Sequence, residues 1–182
     1  MRELSLHILD IIQNSIAANA TRILVRVEAN EKSDRLAVRI EDNGKGMSPE
    51  FVARVLDPFV TTRTTRRVGL GLPMLASAAQ ACGGDISVKS NVGTGTTVEV
   101  WFKLSHIDRA PLGDITSTIV NNVAANPDIE FRYEHVVNDR NFSLDTKDMN
   151  GWLDGVPLNN PLVVDWMRAY MREGIQRTGI ID

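Results

Sequence analysis

The spacing of hydrophobic residues along the first part of the chain changes from helical to strand-like, and then repeats that change. Apolar residues recur every three or four positions in two segments, which is the period of a helix with one buried side. Runs rich in β-branched residues follow each segment and are separated by short polar or glycine-rich stretches. The pattern predicts helices at 2–18 and 71–82 and strands at 22–29, 35–41, 85–90 and 96–104. It also predicts a short helix that starts at Ser48-Pro49-Glu50, with Ser48 as the N-cap.

The order of these elements indicates the fold class. A unit of one helix followed by a hairpin occurs twice, so strands that are neighbours in sequence are also neighbours in the sheet. This favours an α+β fold, a two-layer α/β sandwich in which helices cover one face of a mixed sheet, over a doubly wound parallel sheet. We place one domain at 1–104 and a small C-terminal α/β extension at 105–182.

The extension has its own pattern of elements. It predicts a helix at 113–125, a strand at 129–137 that turns into 141–144, and a last helix that starts at Asn160-Pro161. The expected buried stripe of that last helix is Leu162, Val163, Trp166, Tyr170 and Met171. We expect Trp152, Trp166 and Tyr170 to pack against the sheet or a subunit interface.

The composition indicates a soluble protein and does not favour nucleic-acid binding. The 182 residues are 43% hydrophobic and 24% charged, as in ordinary soluble domains. A formal net charge of -3 gives no electrostatic reason to expect nucleic acid as a partner. The one cysteine, Cys82, ends an apolar helical run and is expected to be buried. With neither a signal-peptide pattern nor a membrane-spanning apolar run in the sequence, we expect a cytoplasmic protein without membrane contact.

Polar residues on the first predicted helix form the first candidate site. His7, Asp10 and Asn14 are three and four positions apart and therefore share one helix face. An asparagine amide oxygen is a hard ligand suited to Mg²⁺, and an acid one turn earlier can orient water or accept a proton. A solvated helix face is the alternative explanation.

Two glycine-containing segments form further candidates. Asp42-Asn43-Gly44-Lys45-Gly46 follows a strand, so its carboxylate can accept a hydrogen bond from an amino group while the glycines allow backbone to approach a flat ring. Val68–Leu72 opens a helix, where exposed N–H groups favour phosphate, and Arg63, Arg66 and Arg67 precede it. Taken singly, each segment is also explained as a simple turn. The chain contains neither a Walker A pattern nor metal-type Cys/His spacing.

In this order and spacing, the motifs resemble the GHKL, or Bergerat-fold, ATPase domain shared by histidine kinases, DNA gyrase B, the heat-shock chaperone and MutL. Leu9–Ser15 looks like the N box, and Asp42–Met47 looks like the G1 box. Asp57–Arg63 looks like the F box of histidine kinases. Val68–Leu72 and Gly93–Thr97 look like the G2 and G3 boxes. The resemblance covers residues 3–104.

The resemblance implies that the chain binds ATP with Mg²⁺ and assigns a role to individual residues. It makes Asn14 the metal ligand, Asp42 the acceptor for the adenine amino group, and Thr96 a support for Asp42. It places Asp10 at the position of the catalytic general base and makes residues 56–68 a lid over the nucleotide. Gly46 lines the base, Gly69 and Gly71 meet the phosphates, and the other implied ATP-binding residues are Gly44, Met47, Phe59, Thr62, Arg63, Leu70 and Leu72.

Two departures from the family pattern affect the expected activity. The hydrolysing members carry glutamate four positions before the N-box asparagine, whereas this chain has Asp10, so we expect slow hydrolysis or none. Arg67 replaces the first glycine of the kinase-type G2 run. His106 lies in a segment that mimics a kinase phosphoacceptor box, but this segment follows a strand and is better explained as a domain-edge loop in which Asp114 caps the next helix.

The implied functions are therefore two. One is a regulatory protein kinase or ATPase of histidine-kinase or anti-sigma type. The other is an ATP-dependent conformational switch with little or no turnover. Either acts with a protein partner, for which a response regulator, a sigma or anti-sigma type protein and a redox-enzyme subunit are the candidates. The last candidate comes from a similarity of the extension to the tail of small bacterial ATPase-like proteins.

Overall fold

A computed structural model describes residues 3–57, 71–179 and 181 of the chain. Most of the predicted elements are present within two residues of their expected bounds. The short helix α5 was not predicted. In chain order the elements are α1 (Leu4–Ala17), β1 (Arg22–Asn30), β2 (Arg35–Asp42), α2 (Pro49–Val52), α3 (Gly71–Ala81), β3 (Asp85–Asn91), β4 (Gly95–Lys103), α4 (Ile115–Ala125), β5 (Glu130–Val137), β6 (Arg140–Asp145), α5 (Thr146–Trp152) and α6 (Pro161–Thr178).

The strands of the described residues form a single sheet in the order β3-β4-β2-β1-β5-β6. β1 and β5 are parallel and the other neighbouring pairs are antiparallel, so the sheet is mixed. Alternate residues such as Ile23, Val25 and Val27 are buried on the face that the helices cover. The predicted α+β sandwich is confirmed. The extension contributes β5 and β6 to this same sheet, and its boundary with the first domain stays a prediction.

Side-chain caps fix where several helices start. The Ser48 hydroxyl accepts a hydrogen bond from the Phe51 amide at the start of α2. Asp114 accepts one from the Ser117 amide at the start of α4, which confirms its predicted capping role. Asn160 caps α6 in the same way, with a proline directly after it. These caps satisfy amides that have no partner within the helix.

The predicted buried stripe of α6 is wrong at three positions. Leu162 is 80% exposed, Trp166 44% and Tyr170 38%, whereas Val163, Met167 and Met171 are buried. The helix is rotated because its close contact with β6 occurs at Gly174, where an added Cβ would lie 2.1 Å from the Phe142 ring. Flexible methionines fill the interior, and the aromatic residues lie along the flank of the helix.

The remaining predictions about burial have mixed outcomes. Cys82 is buried, as expected. Trp152 is 72% exposed, so it does not pack on the sheet, and the alternative expectation of a subunit interface stays a prediction. None of the helices in the described part of the chain is both long enough and apolar enough to cross a bilayer.

Candidate nucleotide site

The carboxylate of Asp42, at the end of β2, is held from two sides. The Ser15 hydroxyl on α1 donates to Asp42 Oδ2 over 2.7 Å, and the Gly44 amide donates to Asp42 Oδ1 over 2.9 Å. Ser15 is almost fully buried, while Asp42 is only partly buried. The carboxylate is therefore fixed in one orientation but remains accessible, and each of its oxygens has a further lone pair for a ligand donor.

The loop after Asp42 lies directly against the end of α1. The Lys45 amide donates to the Ala18 carbonyl over 2.9 Å. A Cβ added at Gly44 would lie 2.8 Å from the same carbonyl oxygen and 2.9 Å from the Ala18 Cβ, a distance that real side chains do not tolerate. Gly44 is thus required for the close approach that brings Asp42 to Ser15.

The other end of this loop is attached to the turn between β3 and β4. Gly46 has a φ of +66°, and a Cβ there would lie 1.9 Å from the Asn91 carbonyl oxygen. The Met47 amide donates to the Ser90 hydroxyl over 2.8 Å, and Ser90 donates in turn to the Gly95 carbonyl. Since the Ser90 proton is used there, Thr96 donates to Ser90 across 2.9 Å. Thr96 also pairs in register with Asp42, so these contacts support the strand ends on both sides of the carboxylate.

Helix α1 presents two of its three candidate polar residues to solvent. Asp10 and Asn14 are exposed. His7 is only 3% exposed, so it is separated from solvent although its helical spacing groups it with Asp10 and Asn14. The segment before α4 turns back over the start of α1, where the Leu4 and Ser5 amides donate to the Pro111 and Leu112 carbonyls. Burial lowers the pKa of His7 to about 4, and its Nδ1 has no hydrogen-bond partner among the described residues.

The first residue of α3 lies beside Asp10. A Cβ added at Gly71 would be 3.2 Å from the Asp10 Cβ and 3.3 Å from its Oδ2. The positive end of the α3 dipole therefore lies next to the face of α1 that carries Asp10 and Asn14. Leu72, the next residue of α3, is partly buried and packs against the hydrophobic core.

The structure thus brings Asp42 and Gly71 to helix α1, which itself carries Asp10 and Asn14. Ser15 on α1 contacts Asp42 and its loop, Asn14 lies next to it in sequence, and Asp10 one turn earlier contacts Gly71. Phe59, Thr62, Arg63, Gly69 and Leu70, together with Arg66, Arg67 and most of the predicted lid, lie outside the described residues.

Sequence reasoning missed two residues that organise this region. Ser15 lies within the N box but received no role of its own, and Ser90 was not singled out. A polar residue inside an otherwise apolar helical stripe was the available signal for Ser15, because a buried hydroxyl needs a partner. Ser90 sits at the end of a strand and its sequence context gives no comparable signal.

A recess of about 340 Å³ lies away from these residues, on the sheet face opposite the helices. Its lining includes Arg26, which forms ion pairs with Glu28 and Glu134, and Arg39, which pairs with Glu41. The lining holds two arginines against four glutamates, so the recess is negative on balance and does not attract a phosphate. The face bordered by Asp42, Asn14 and Gly71 is the better candidate for a nucleotide.

Comparison with known protein families gives a match over the segment that contains these residues. The sequence profile of the family described as "Histidine kinase-, DNA gyrase B-, and HSP90-like ATPase" matches residues 2–106. This chain belongs to that ATPase family. The matched segment includes α1 and the strands β1 to β4, and it contains Ser15 and Asp42.

Curated relatives of this ATPase-family chain include bacterial sensor kinases. The sensor histidine kinase ZraS of Salmonella typhimurium is 33% identical over 96 residues, which is 52% of this chain and 20% of that protein. The sensor protein kinase FleS of Pseudomonas aeruginosa is 35% identical over 108 residues, which is 59% of this chain and 26% of that protein. The chain therefore spans about a quarter or less of the length of these relatives.

Solved structures show the same fold at lower identity. The N-terminal domain of a DNA repair protein matches 80% of this chain and 52% of that chain, with a TM-score of 0.57 and 16% identity. The Aquifex aeolicus MutL ATPase domain, solved with ADP, matches 80% of this chain and 63% of that chain, with a TM-score of 0.52 and 21% identity. At these identities the likeness shows the fold alone.

Proposed function

We propose that this chain binds Mg²⁺-ATP, with Asp42 accepting a hydrogen bond from the adenine amino group. The carboxylate held by Ser15 and Gly44 is the observation that carries the proposal. A fixed acceptor at a partly buried strand end distinguishes adenine, which has an exocyclic amino donor, from guanine, which has a carbonyl oxygen at the corresponding position. Gly44, Gly46, Met47 and Thr96 form the surroundings of this acceptor.

We assign the phosphate end of the site to α1 and α3. Asn14 supplies a hard amide oxygen to Mg²⁺, an ion that keeps several water ligands and takes the rest from one or two side chains and the phosphates. Such a site needs no cluster of acidic side chains, and the described residues contain no group of three or more His, Cys, Asp or Glu side chains close enough to hold a metal. Gly71 and Leu72 supply the helix N-terminus, and residues 58–70 are expected to complete the pocket. When bound, Mg²⁺ neutralises phosphate charge.

Isothermal titration calorimetry tests this proposal with ATP in the presence and absence of Mg²⁺. We expect Asp42→Asn to weaken ATP binding at least roughly tenfold, since it replaces the charged acceptor. Asn14→Ala should remove most of the Mg²⁺ dependence, and Asn150→Ala, at an exposed position on α5, is the matched control. An ATP affinity that does not depend on Mg²⁺ and is unchanged in both site variants would rule the proposal out.

We further propose that the bound ATP serves regulation through a partner protein in the cytoplasm. The support is the similarity of residues 2–106 to the ATPase part of sensor kinases. A response regulator, a sigma or anti-sigma type protein and a redox-enzyme subunit are the partner classes to test. Incubation with γ-labelled ATP and each partner class measures transfer directly. A kinase labels the partner, and Asn14→Ala abolishes that label.

The second candidate function is an ATP-dependent switch without appreciable turnover. Asp10 favours it, because this side chain is one methylene shorter than glutamate and lies against Gly71 at the start of α3. A general base must reach the water that it activates, so the shorter side chain reduces the expected hydrolysis. Asp10→Glu tests the idea. A rise in phosphate release with unchanged ATP affinity supports the switch, whereas rapid release from the unaltered chain contradicts it.

A further inference from the structure

The edge of the sheet at β6 and the exposed flank of α6 lie on the same side of the molecule. On α6, Arg168 donates to Asn121 of α4 over 2.8 Å, so that side of the helix faces the interior helices. Tyr170 lies on the other side, with its ring 5.1 Å from the Phe142 ring of β6. Trp166 stacks on Tyr170 at 5.0 Å, and Leu162 continues the line one turn earlier. The exposed apolar stripe therefore borders the open edge of the sheet.

The register shows which backbone groups of β6 point outward. The Glu130 and Asn138 amides donate to carbonyls on the β1 side. The backbone N–H and C=O groups of the even-numbered β5 residues therefore point toward β1, and those of the odd-numbered residues point toward β6. Tyr133, His135 and Val137 pair with Leu144, Phe142 and Arg140. The backbone N–H groups of Asn141, Ser143 and Asp145 and the C=O groups of Asn141 and Ser143 therefore point away from the sheet, and no described residue binds them. The Asp145 carbonyl is the first acceptor of α5, since Asp145 is the N-cap of that helix.

The two edges of the sheet differ in their protection. At the opposite edge, β3 carries the exposed Lys89 and is covered in part by α2. Charged lysines and covering helices are common devices that prevent strands from pairing with other chains. β6 has charged residues only at its ends, Arg140 and Asp145, and its exposed centre is Asn141 and Ser143.

We propose that the α6–β6 edge is a self-association surface on which two copies of this chain pair their β6 strands antiparallel about a two-fold axis at Ser143. In that register Ser143 exchanges both ladder bonds with its own copy, and Asn141 lies opposite Asp145 of the second copy, where the Asp145 amide donates to the Asn141 carbonyl. Phe142 lies opposite Leu144 of the second copy on the helix side. On the sheet face opposite the helices, the Asn141 side-chain amide lies opposite the Asp145 carboxylate of the second copy.

The helices fit the same symmetry. α6 packs on β5 and β6, so its copy lies about two strand spacings away, roughly 10 Å, which is the distance of directly packed helices. The two helices run antiparallel. The aromatic half of one flank, Trp166 and Tyr170, then meets the charged half of the other, which carries the ion pair Glu173–Arg177. A guanidinium next to an aromatic ring is a favourable contact. An extended peptide would pair with the strand but would leave this stripe without a helix.

Sedimentation velocity of the 182-residue chain over a range of concentrations tests the proposal. We expect a species of twice the chain mass. Ser143→Pro should give the mass of a single chain, because it removes the outward-pointing amide of Ser143. The fold should persist, since proline is tolerated on edge strands where the amide faces solvent. Ser143→Ala keeps the amide and is its matched control.

A second pair of variants tests the helix flank. Trp166→Glu places a charge on the apolar stripe and should also give the monomer mass. Ile107→Glu, at a 95% exposed position in the β4–α4 loop, makes the same kind of change away from this edge and should leave the dimer intact. Circular dichroism and thermal melting check that every variant is folded.

Disulfide trapping tests the register. Two hydrogen-bonded residues across an antiparallel pair have Cα atoms about 5.5 Å apart, within the range that a disulfide spans. Ser143→Cys should therefore cross-link two copies on oxidation, whereas Asn141→Cys alone should not. A monomer at all concentrations, a dimer indifferent to Ser143→Pro and Trp166→Glu, or a monomer that captures extended peptides at β6 would overturn the proposal.

Discussion

Replacing Ser15 with alanine should weaken ATP binding without any change at a residue proposed to contact the nucleotide. The Ser15 hydroxyl is almost fully buried and fixes the Asp42 carboxylate at 2.7 Å. Without it, Asp42 regains rotational freedom that binding must remove. Ordering one side chain costs about 0.5–1.5 kcal/mol, so we expect the Kd for ATP to rise roughly fivefold. The Gly44 amide still holds the other carboxylate oxygen, which limits the effect.

Calorimetry with Mg²⁺-ATP measures this change, with Ser77→Ala as the matched control. Ser15 and Ser77 are both helical serines whose hydroxyls lie close to the carbonyl four residues earlier, at 3.2 Å for Ser15 and 3.0 Å for Ser77. The Ser77 proton is donated to that carbonyl, whereas the Ser15 proton is donated to the nearer Asp42 carboxylate at 2.7 Å. Ser77→Ala should leave the Kd unchanged, and Ser15→Thr, which keeps the hydroxyl, should bind more tightly than Ser15→Ala. Equal affinities for Ser15→Ala and the unaltered chain would refute the reasoning.

Three further predictions concern stability. Because burial lowers the pKa of His7 from 6.5 to about 4, the neutral form is favoured in the folded state, so stability is full above pH 6.5 and is lost as the pH falls toward 4, by up to about 3 kcal/mol. Denaturant titrations across this range should show that loss, and His7→Leu should flatten it. Gly46→Ala should lower the melting temperature sharply, because its Cβ would overlap the Asn91 carbonyl, and an unchanged melting curve would contradict the loop geometry. Gln13 donates to the buried Asn122 over 2.8 Å, so a double-mutant cycle with alanine at both positions should give a coupling of about 1 kcal/mol. Additive effects would show that this contact between α1 and α4 contributes nothing.

The sequence predicts the regular elements well because each has a clear hydrophobic period and explicit end signals. Ser48, Asp114 and Asn160 all cap the helices that their positions indicate. Helix α5 was missed because seven residues are too few to show a period. The rotation of α6 was also missed, since Leu162, Trp166 and Tyr170 satisfy helical spacing as well as the methionines do, and only the close packing of Gly174 on Phe142 decides between them.

The candidate site was predictable in its motifs and not in its contacts. The order of Asn14, Asp42 and Gly71 along the chain indicates the family. It does not show that Ser15 orients Asp42, or that Gly71 lies beside Asp10, because such contacts depend on how helices and loops pack in three dimensions. His7 shows the reverse case. Its spacing groups it with Asp10 and Asn14, but the segment before α4 returns over the start of α1 and His7 is buried.

The most direct test of the account compares ATP with purine riboside triphosphate, which lacks only the 6-amino group, in calorimetric titrations with Mg²⁺. If Asp42 accepts the hydrogen bond of that amino group, the unaltered chain should bind ATP at least about tenfold more tightly than purine riboside triphosphate. Asp42→Ala should bind both nucleotides equally. Equal binding of the two nucleotides by the unaltered chain, or a preference for ATP that persists in Asp42→Ala, would contradict the central claim.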